Sequence, residues 1–310
     1  TAVGYGSLYE LTTGDYNTAV GHAAGQDVYG DHNTFIGRYA GLYAGDTDNC
    51  VAIGSSALQG AIFTDATCDY NNDPTITHDA NGSIVAGLVV TGTGIPSGSI
   101  IASITDSTHF ELNQATTGGA VTNGTLTFRS NQGNSNIAIG SYTLDANTTG
   151  ASSIAIGHQA ATNITTGGGS VAVGHQALST EDTGGGSVAV GYKALEDQNV
   201  DSANNVAVGG YAALNLDSGK DSVYVGYSAG GSGTITGNNN IVLGSSAALN
   251  ATSMSRSVFI GYFSGGTGVI TGASNICIGE STGQDLTSGA SNVLIGRDAG
   301  ANITEGTNNI

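Results

Sequence analysis

The chain has 310 residues, with 51 Gly, 2 Pro, 3 Cys and no Trp, and its 24 acidic and 6 basic side chains give a net charge of −18. A charge of that sign repels nucleic acid and anionic lipid at long range, which argues against either as a partner. Gly is abundant without a G-X-Y triplet, which excludes collagen, and Val and Ile are too plentiful for a disordered chain.

Residues 1–60 introduce a short phrase: a small polar residue, two branched or apolar positions flanking a variable one, then Gly. It reads N-T-A-V-G at 17–21 and N-T-F-I-G at 33–37. The closing Gly falls at 4, 21, 37 and 54, and later at 140, 157, 174, 191, 209, 226, 244, 261, 279 and 296. A step of 16–18 residues within each block is the signature of a solenoid, each repeat being one rung. The β-branched pair spaced by two, such as Thr18 and Val20 or Val188 and Val190, lies on one face of a short strand. The Gly that closes the phrase turns a corner at positive φ or lets another backbone come close. A second Gly, often after Thr or Ser, stands seven residues earlier in most rungs and opens the preceding loop.

Residues 61–132 lose the phrase and hold both prolines, Pro74 and Pro96. Strand-like runs at 84–90, 99–104, 109–112 and 125–128, joined by Gly-rich turns, predict a small inserted β domain. Degenerate rungs are the alternative, because the gap of 86 residues between closing glycines is close to five periods. The insert is acidic, but has no calcium-loop spacing. Of its aromatic and imidazole groups some must form the core; Tyr70, His78 and Phe110 are the candidate receptor contacts, by stacking on sugar rings.

Residues 133–310 resume the phrase, and read as columns they carry three further patterns. Three residues after each closing Gly stands Ala, Ser or Thr, which implies tight packing. Four before it stands Asn or Ser in nearly every rung, Asn136 and Ser187 among them, placed to bond amide to amide or to cap a turn. Between the branched pair the residue is Ala through Ala207, apart from Phe35, and then Tyr224, Val242, Phe259, Cys277 and Leu294. The favoured reading puts the branched pair inside the coil and this middle column against partner chains; the converse is the alternative. Two apolar faces need covering and a thin coil covers one, so oligomerisation follows in both cases.

Candidate chemistry is sparse. Cys50 and Cys68 are candidates for pairing, whereas Cys277 sits on a strand as a small apolar residue. His158 and His175 stand one rung apart after closing glycines, where copies about an axis could hold a metal; the same site also holds Tyr, Arg, Ser and Glu, which favours a variable surface position, and no metal or cofactor is expected. The acidic pairs Glu181-Asp182 and Glu196-Asp197 could line a glycosidase groove, but solvated loop charges account for them. No nucleophile, phosphate-loop or zinc-protease phrase is present, so no enzyme is expected.

The phrases N-T-A-V-G-H-A-A-G (17–25), N-T-F-I-G-R-Y-A-G (33–41), S-V-A-V-G-Y-K-A-L (187–195) and V-Y-V-G-Y-S-A-G-G (223–231) resemble the repeats of bacteriophage tail-fibre and tail-spike shafts. They also resemble the head repeats of trimeric autotransporter adhesins, which are left-handed parallel β-rolls. The longer step with T-T-G in the loop looks more like the phage fibres. The chain opens inside one repeat and stops inside another, as expected of a segment of a longer protein.

The expectation is thus an all-β fold: a parallel β-solenoid or β-roll with ~17-residue rungs at 1–60 and 133–310, one inserted small β domain at 61–132, and, by the resemblance, a homotrimer. The implied role is a structural shaft of a phage tail fibre supporting host-cell attachment, located in the virion tail and partnered by other tail or fibre proteins and a host-surface glycan or protein receptor, without membrane insertion. The alternatives are a bacterial trimeric surface adhesin at the cell surface and a polysaccharide-degrading tail spike.

Overall fold

The computed structural model describes residues 1–9, 11, 14–60, 62–130, 133–198, 203–231 and 233–310; the expected insert limits, 61 and 132, lie outside them. Among the described residues there are strands and turns but no helix. The chain forms two compact units, Thr1–Asn136 with Asp145–Ala151, and Ile137–Leu144 with Ser152–Ile310.

The first unit begins with four rung strands, β1 (Ala2–Val3), β2 (Thr18–Val20), β3 (Thr34–Ile36) and β4 (Val51–Ile53). They pair in parallel and in register, Thr18 opposite Thr34, Ala19 opposite Phe35 and Ile36 opposite Ile53. A second, antiparallel sheet follows: β5 (Ile62–Asn71), β6 (Thr75–Thr77), β7 (Val89–Gly92), β8 (Ile101–Asp106), β9 (His109–Leu112) and β10 (Ala120–Arg129), in the order β7-β10-β5-β6-β9-β8. Its two longest strands are neighbours, with Ile62 opposite Arg129, so the chain enters and leaves this sheet at one place. An antiparallel sheet of this order replaces the alternative of degenerate rungs.

The second unit is a stack of ten rungs: β11 (Ile137–Ile139), β12 (Ile154–Ile156), β13 (Val171–Val173), β14 (Val188–Val190), β15 (Val206–Val208), β16 (Val223–Val225), β17 (Ile241–Leu243), β18 (Val258–Ile260), β19 (Ile276–Ile278) and β20 (Val293–Ile295). Every neighbour is parallel and in register, as with Val188, Ala189 and Val190 against Val206, Ala207 and Val208. The bonding continues past the strand: Gly191 N–H donates to Val173 O at 2.8 Å, Lys193 N–H to His175 O at 3.0 Å and Leu195 N–H to Ala212 O at 3.0 Å. Rung-to-rung backbone bonds therefore hold the turns as well as the strands.

The favoured assignment of faces is reversed in both units. The middle residue of each three-residue rung strand points into the coil: Ala19, Phe35, Ala52, Ala189, Tyr224 and Phe259 are wholly buried. The branched pair points out, with Val20, Ile36, Val208, Val225 and Ile241 among the exposed side chains. The reason is volume, because the interior is too narrow for two β-branched residues per strand. It is filled by one middle residue per rung, the Ala three past the closing Gly, and apolar groups such as Val28, Ile164, Leu216 and Leu286 from the far side.

The Asn/Ser column is internal and caps backbone. Asn205 Oδ1 accepts the Ser222 N–H at 3.0 Å, Ser222 Oγ accepts the Asn240 N–H at 3.0 Å and Asn240 Oδ1 accepts the Ser257 N–H at 3.1 Å. The Asn amides from Asn17 to Asn292 also donate to a loop carbonyl one rung on, Asn275 to Gly289 O at 2.8 Å for example. Amide-to-amide contact is added where Asn follows Asn, Asn292 donating to Asn275 Oδ1 at 3.0 Å. Both expected uses of the column are present.

Cys50 occupies this column and takes the Asn136 N–H on its sulfur at 3.4 Å, whereas Cys68 lies in the core of the antiparallel sheet. Both are free thiols, so the expected candidate pairing is not made. Burial pushes the Cys50 thiol up to about 11 and the Cys68 and Cys277 thiols up to about 12.

Asp145 in the first unit is half-buried, and burial pushes its carboxyl up to about 6 from 3.8. A raised carboxyl stabilises the fold below the ordinary carboxylate range and loses that contribution as pH rises through about 6. Stability of the first unit should therefore fall between about pH 4 and 6, by on the order of 1–2 kcal/mol once solvent screening is allowed for. Urea denaturation across that range reads the slope, and Asp145→Asn should flatten it; an unchanged slope would assign it to other groups.

Candidate functional site

Tyr70, His78 and Phe110 lie inside the antiparallel sheet's core, not on its surface. Tyr70 and His78 are 5% exposed and Phe110 is wholly buried. His78 packs on Phe110 with ring centroids 5.4 Å apart, and Phe110 meets Phe128 edge to face at 5.8 Å. The Tyr70 hydroxyl donates to Thr93 O at 2.6 Å. A sheet this small uses its large side chains to exclude water, which makes packing groups of these three. The two cavities beside them are shallow: one of about 270 Å³ against His78, Ile84, Ile104 and Asp106, another of about 330 Å³ against Tyr70, Asp73 and Val121. At the mouth of the first, the hydrogen bond from His109 and those from Thr108 hold the Asp106 carboxyl down at about 2.

The sheet is tied to the rungs of its own unit by Arg129. Its Nη1 donates to the Tyr29 hydroxyl at 2.8 Å and lies 4.0 Å from Asp27.

The acidic pairs of the second unit do not line a groove. Glu181 is wholly buried and accepts from the Gln198 amide, which also takes the Asn205 amide at 2.9 Å. Glu196 is paired with Lys193 at 2.9 Å. Neither pair presents two free carboxylates to a common space.

Two surfaces remain. One is the outward branched pair, repeated on every rung. In the second unit it makes an apolar strip roughly 40 Å long at the usual strand spacing. The other begins immediately past each closing Gly, in the next two columns. Tyr142, His158, His175, Tyr192, Tyr211 and Tyr227 form an unbroken series of rings, one per rung, with centroids 5.1–6.2 Å apart. In the first unit Tyr5, His22 and Tyr39 do the same at 5.5 and 5.4 Å. His158 and His175 are stacked on one another within the chain, 17° from parallel. Read one column at a time, this series is a variable position; it becomes continuous only when the second column supplies Tyr142 and Tyr211.

These features define the class: a parallel β-solenoid repeat protein carrying a second, small antiparallel sheet. No family model, no curated protein and no solved structure matches the chain.

Proposed function

We propose that the chain is part of a fibre shaft, assembled from three copies through the outward Val/Ile strip, that holds attachment machinery against a host cell as in a phage tail fibre in the virion. Its role is structural and adhesive, not catalytic. The observation that carries this reading is the strip itself. A solenoid that fills its interior with Ala has no internal use for two β-branched residues per rung, yet they recur on strand after strand, and apolar patches of this extent mark association surfaces. Self-association covers the strip on each copy with the same chemistry. Parallel rungs bonded through strands and turns supply stiffness, and three copies supply avidity.

Val190 and Ala189 test it as neighbours. Val173→Asp with Val190→Asp places charges on the strip and leaves the interior intact, so the variant should keep its far-UV circular dichroism and fall to the mass of a single chain by light scattering. Ala189→Asp puts an unpaired charge in the coil and should unfold the rung instead. A native chain that is already a monomer, or a doubly charged variant that stays assembled, would refute the shaft interface.

A further inference from the structure

The aromatic series of the second unit stands outside the branched-pair columns and has no use in the coil interior. We propose that the strip from Tyr142 to Tyr227 is a binding track for an extended polysaccharide chain, with sugar C–H faces resting on tyrosine rings and sugar hydroxyls bonded to phenol and imidazole edges.

Composition is the first argument. Of the 13 tyrosines, seven stand in the two columns after the closing Gly, with three of the six histidines and three of the six Lys and Arg. From Ser141 to Ser228 these columns contain no Asp or Glu, although the chain has 24. An acid-free aromatic strip on so acidic a surface is a selected chemistry. Its other occupants are Ser141, Gln159, Gln176, Lys193 and Ser228, hydrogen-bonding groups suited to hydroxyls, and Gly210.

Exposure and strain are the second. Tyr142, Tyr192 and Tyr227 leave 45%, 44% and 59% of their surface in water. Tyr142 and Tyr211 hold φ of 57° and 58°, a left-handed backbone that bulky residues avoid, whereas Ser228 and Ser246 fill the same column at 52° and 54°. An aromatic held where serine suffices points to a use outside the fold.

Geometry favours a glycan over other polymers. His158, His175 and Tyr192 lie within 17° and 20° of parallel, so neighbouring rings share faces and leave polar edges. Tyr142 and Tyr211 stand crosswise, at 80° to His158 and 71° to Tyr192, so that their faces are not stacked on a neighbouring ring. Apolar faces set among polar edges match a pyranose, which has both, and the electron-rich ring face attracts its C–H bonds. Single-stranded nucleic acid also stacks on such ladders, but the net charge of −18 opposes it.

This inference rests on the adhesive part of the function proposed above, and one experiment separates the two. The full chain is applied to an array of linear neutral and uronic-acid oligosaccharides, and hits are titrated by tyrosine emission, which is unobscured because the chain has no Trp. The expected result is saturable binding of at least one linear glycan, weakened about tenfold or more by Tyr142→Ser with Tyr211→Ser, with the mass by light scattering unchanged. Neutral against acidic hits identify the source of the sugar. A silent array, binding that the double variant leaves intact, or binding of oligo-dT in place of sugars would each overturn the track. A double variant that dissociates would make the series a contact between copies, and overturn it too. A trimer that binds no sugar rejects the track and leaves the shaft; a monomer that binds sugar does the reverse.

Discussion

Phe259→Ala should destabilise the second unit by about 3–5 kcal/mol, and Gly265→Leu, disruptive alone, should restore much of it in the double variant. The interior column and the column four past the closing Gly trade volume in several rungs of the stack. Where the middle residue is Ala172 or Ala189, the second position is Leu178 or Leu195, all at 0–1% exposure. Where it is Tyr224, Phe259 or Leu294, the second position is Gly230, Gly265 or Gly300. A Cβ at Gly265 would stand 2.7 Å from Phe259 Cε1, and one at Gly230 would stand 2.8 Å from Tyr224 Cδ1. Neither ring can retreat, since both are wholly buried. Leucine is compatible with the backbone at this column: Leu178 and Leu195 hold φ of 54° and 52°, close to the 63° of Gly265. Phe259→Ala alone opens a cavity and Gly265→Leu alone overpacks it; the pair restores the Ala–Leu combination of Ala189 and Leu195, with the Ile270 Cδ1, also 2.7 Å from a Cβ at Gly265, left to move into the vacated space. Denaturation of the three variants should give a coupling of on the order of 2 kcal/mol or more. Additive losses would mean that the two columns do not share one space.

That exchange of volume is written in the sequence itself. The period, the strand positions and the corner at each closing Gly were legible because one requirement repeats on every rung. Which face is inside was legible too, but only by comparing columns. The β-branched pair taken alone suggests a core, while the pairing of Ala189 with Leu195 and of Phe259 with Gly265 marks those two columns as sharing an interior. The corners were half legible. Glycine marked one side of each loop, but Asn239 and Ser274, just ahead of the Asn/Ser column, carry left-handed φ of 61° and 63° without being glycine.

In the antiparallel sheet, β9 was legible as a run of alternating residues. β5 was not, because Asp65, Asp69 and Asn71 give it the look of a loop. Asp65 sits among bonds that the strand cannot announce. Burial alone would raise its carboxyl, but the hydrogen bonds from Thr67 and Asn81 outweigh that and hold it below the ordinary range. The aromatic candidates carry no sequence mark that separates core from surface, and the small core uses them. The ring series is hidden from any single column because it alternates between two.

Gly191→Ala should cost on the order of 3–6 kcal/mol, far more than Gly169→Ala in the same unit, although both glycines hold a positive φ. Gly191 holds φ +140° and Gly169 +73°. The larger difference lies in what a side chain would meet. A Cβ at Gly191 would meet the Gly209 carbonyl, at 2.5 Å from its oxygen and 2.6 Å from its carbon, whereas a Cβ at Gly169 meets nothing within 4 Å. The Gly209 carbonyl is backbone, and it cannot move without pulling on the Gly209 N–H bond to Val190 O at 2.8 Å. Alanine at Gly191 therefore adds a collision between rungs to the torsional strain, while alanine at Gly169 incurs the strain alone, about 1–2 kcal/mol. Thermal melts of the two variants read the collision. A loss at Gly191 no larger than that at Gly169 would mean that closing glycines do not lie directly against one another.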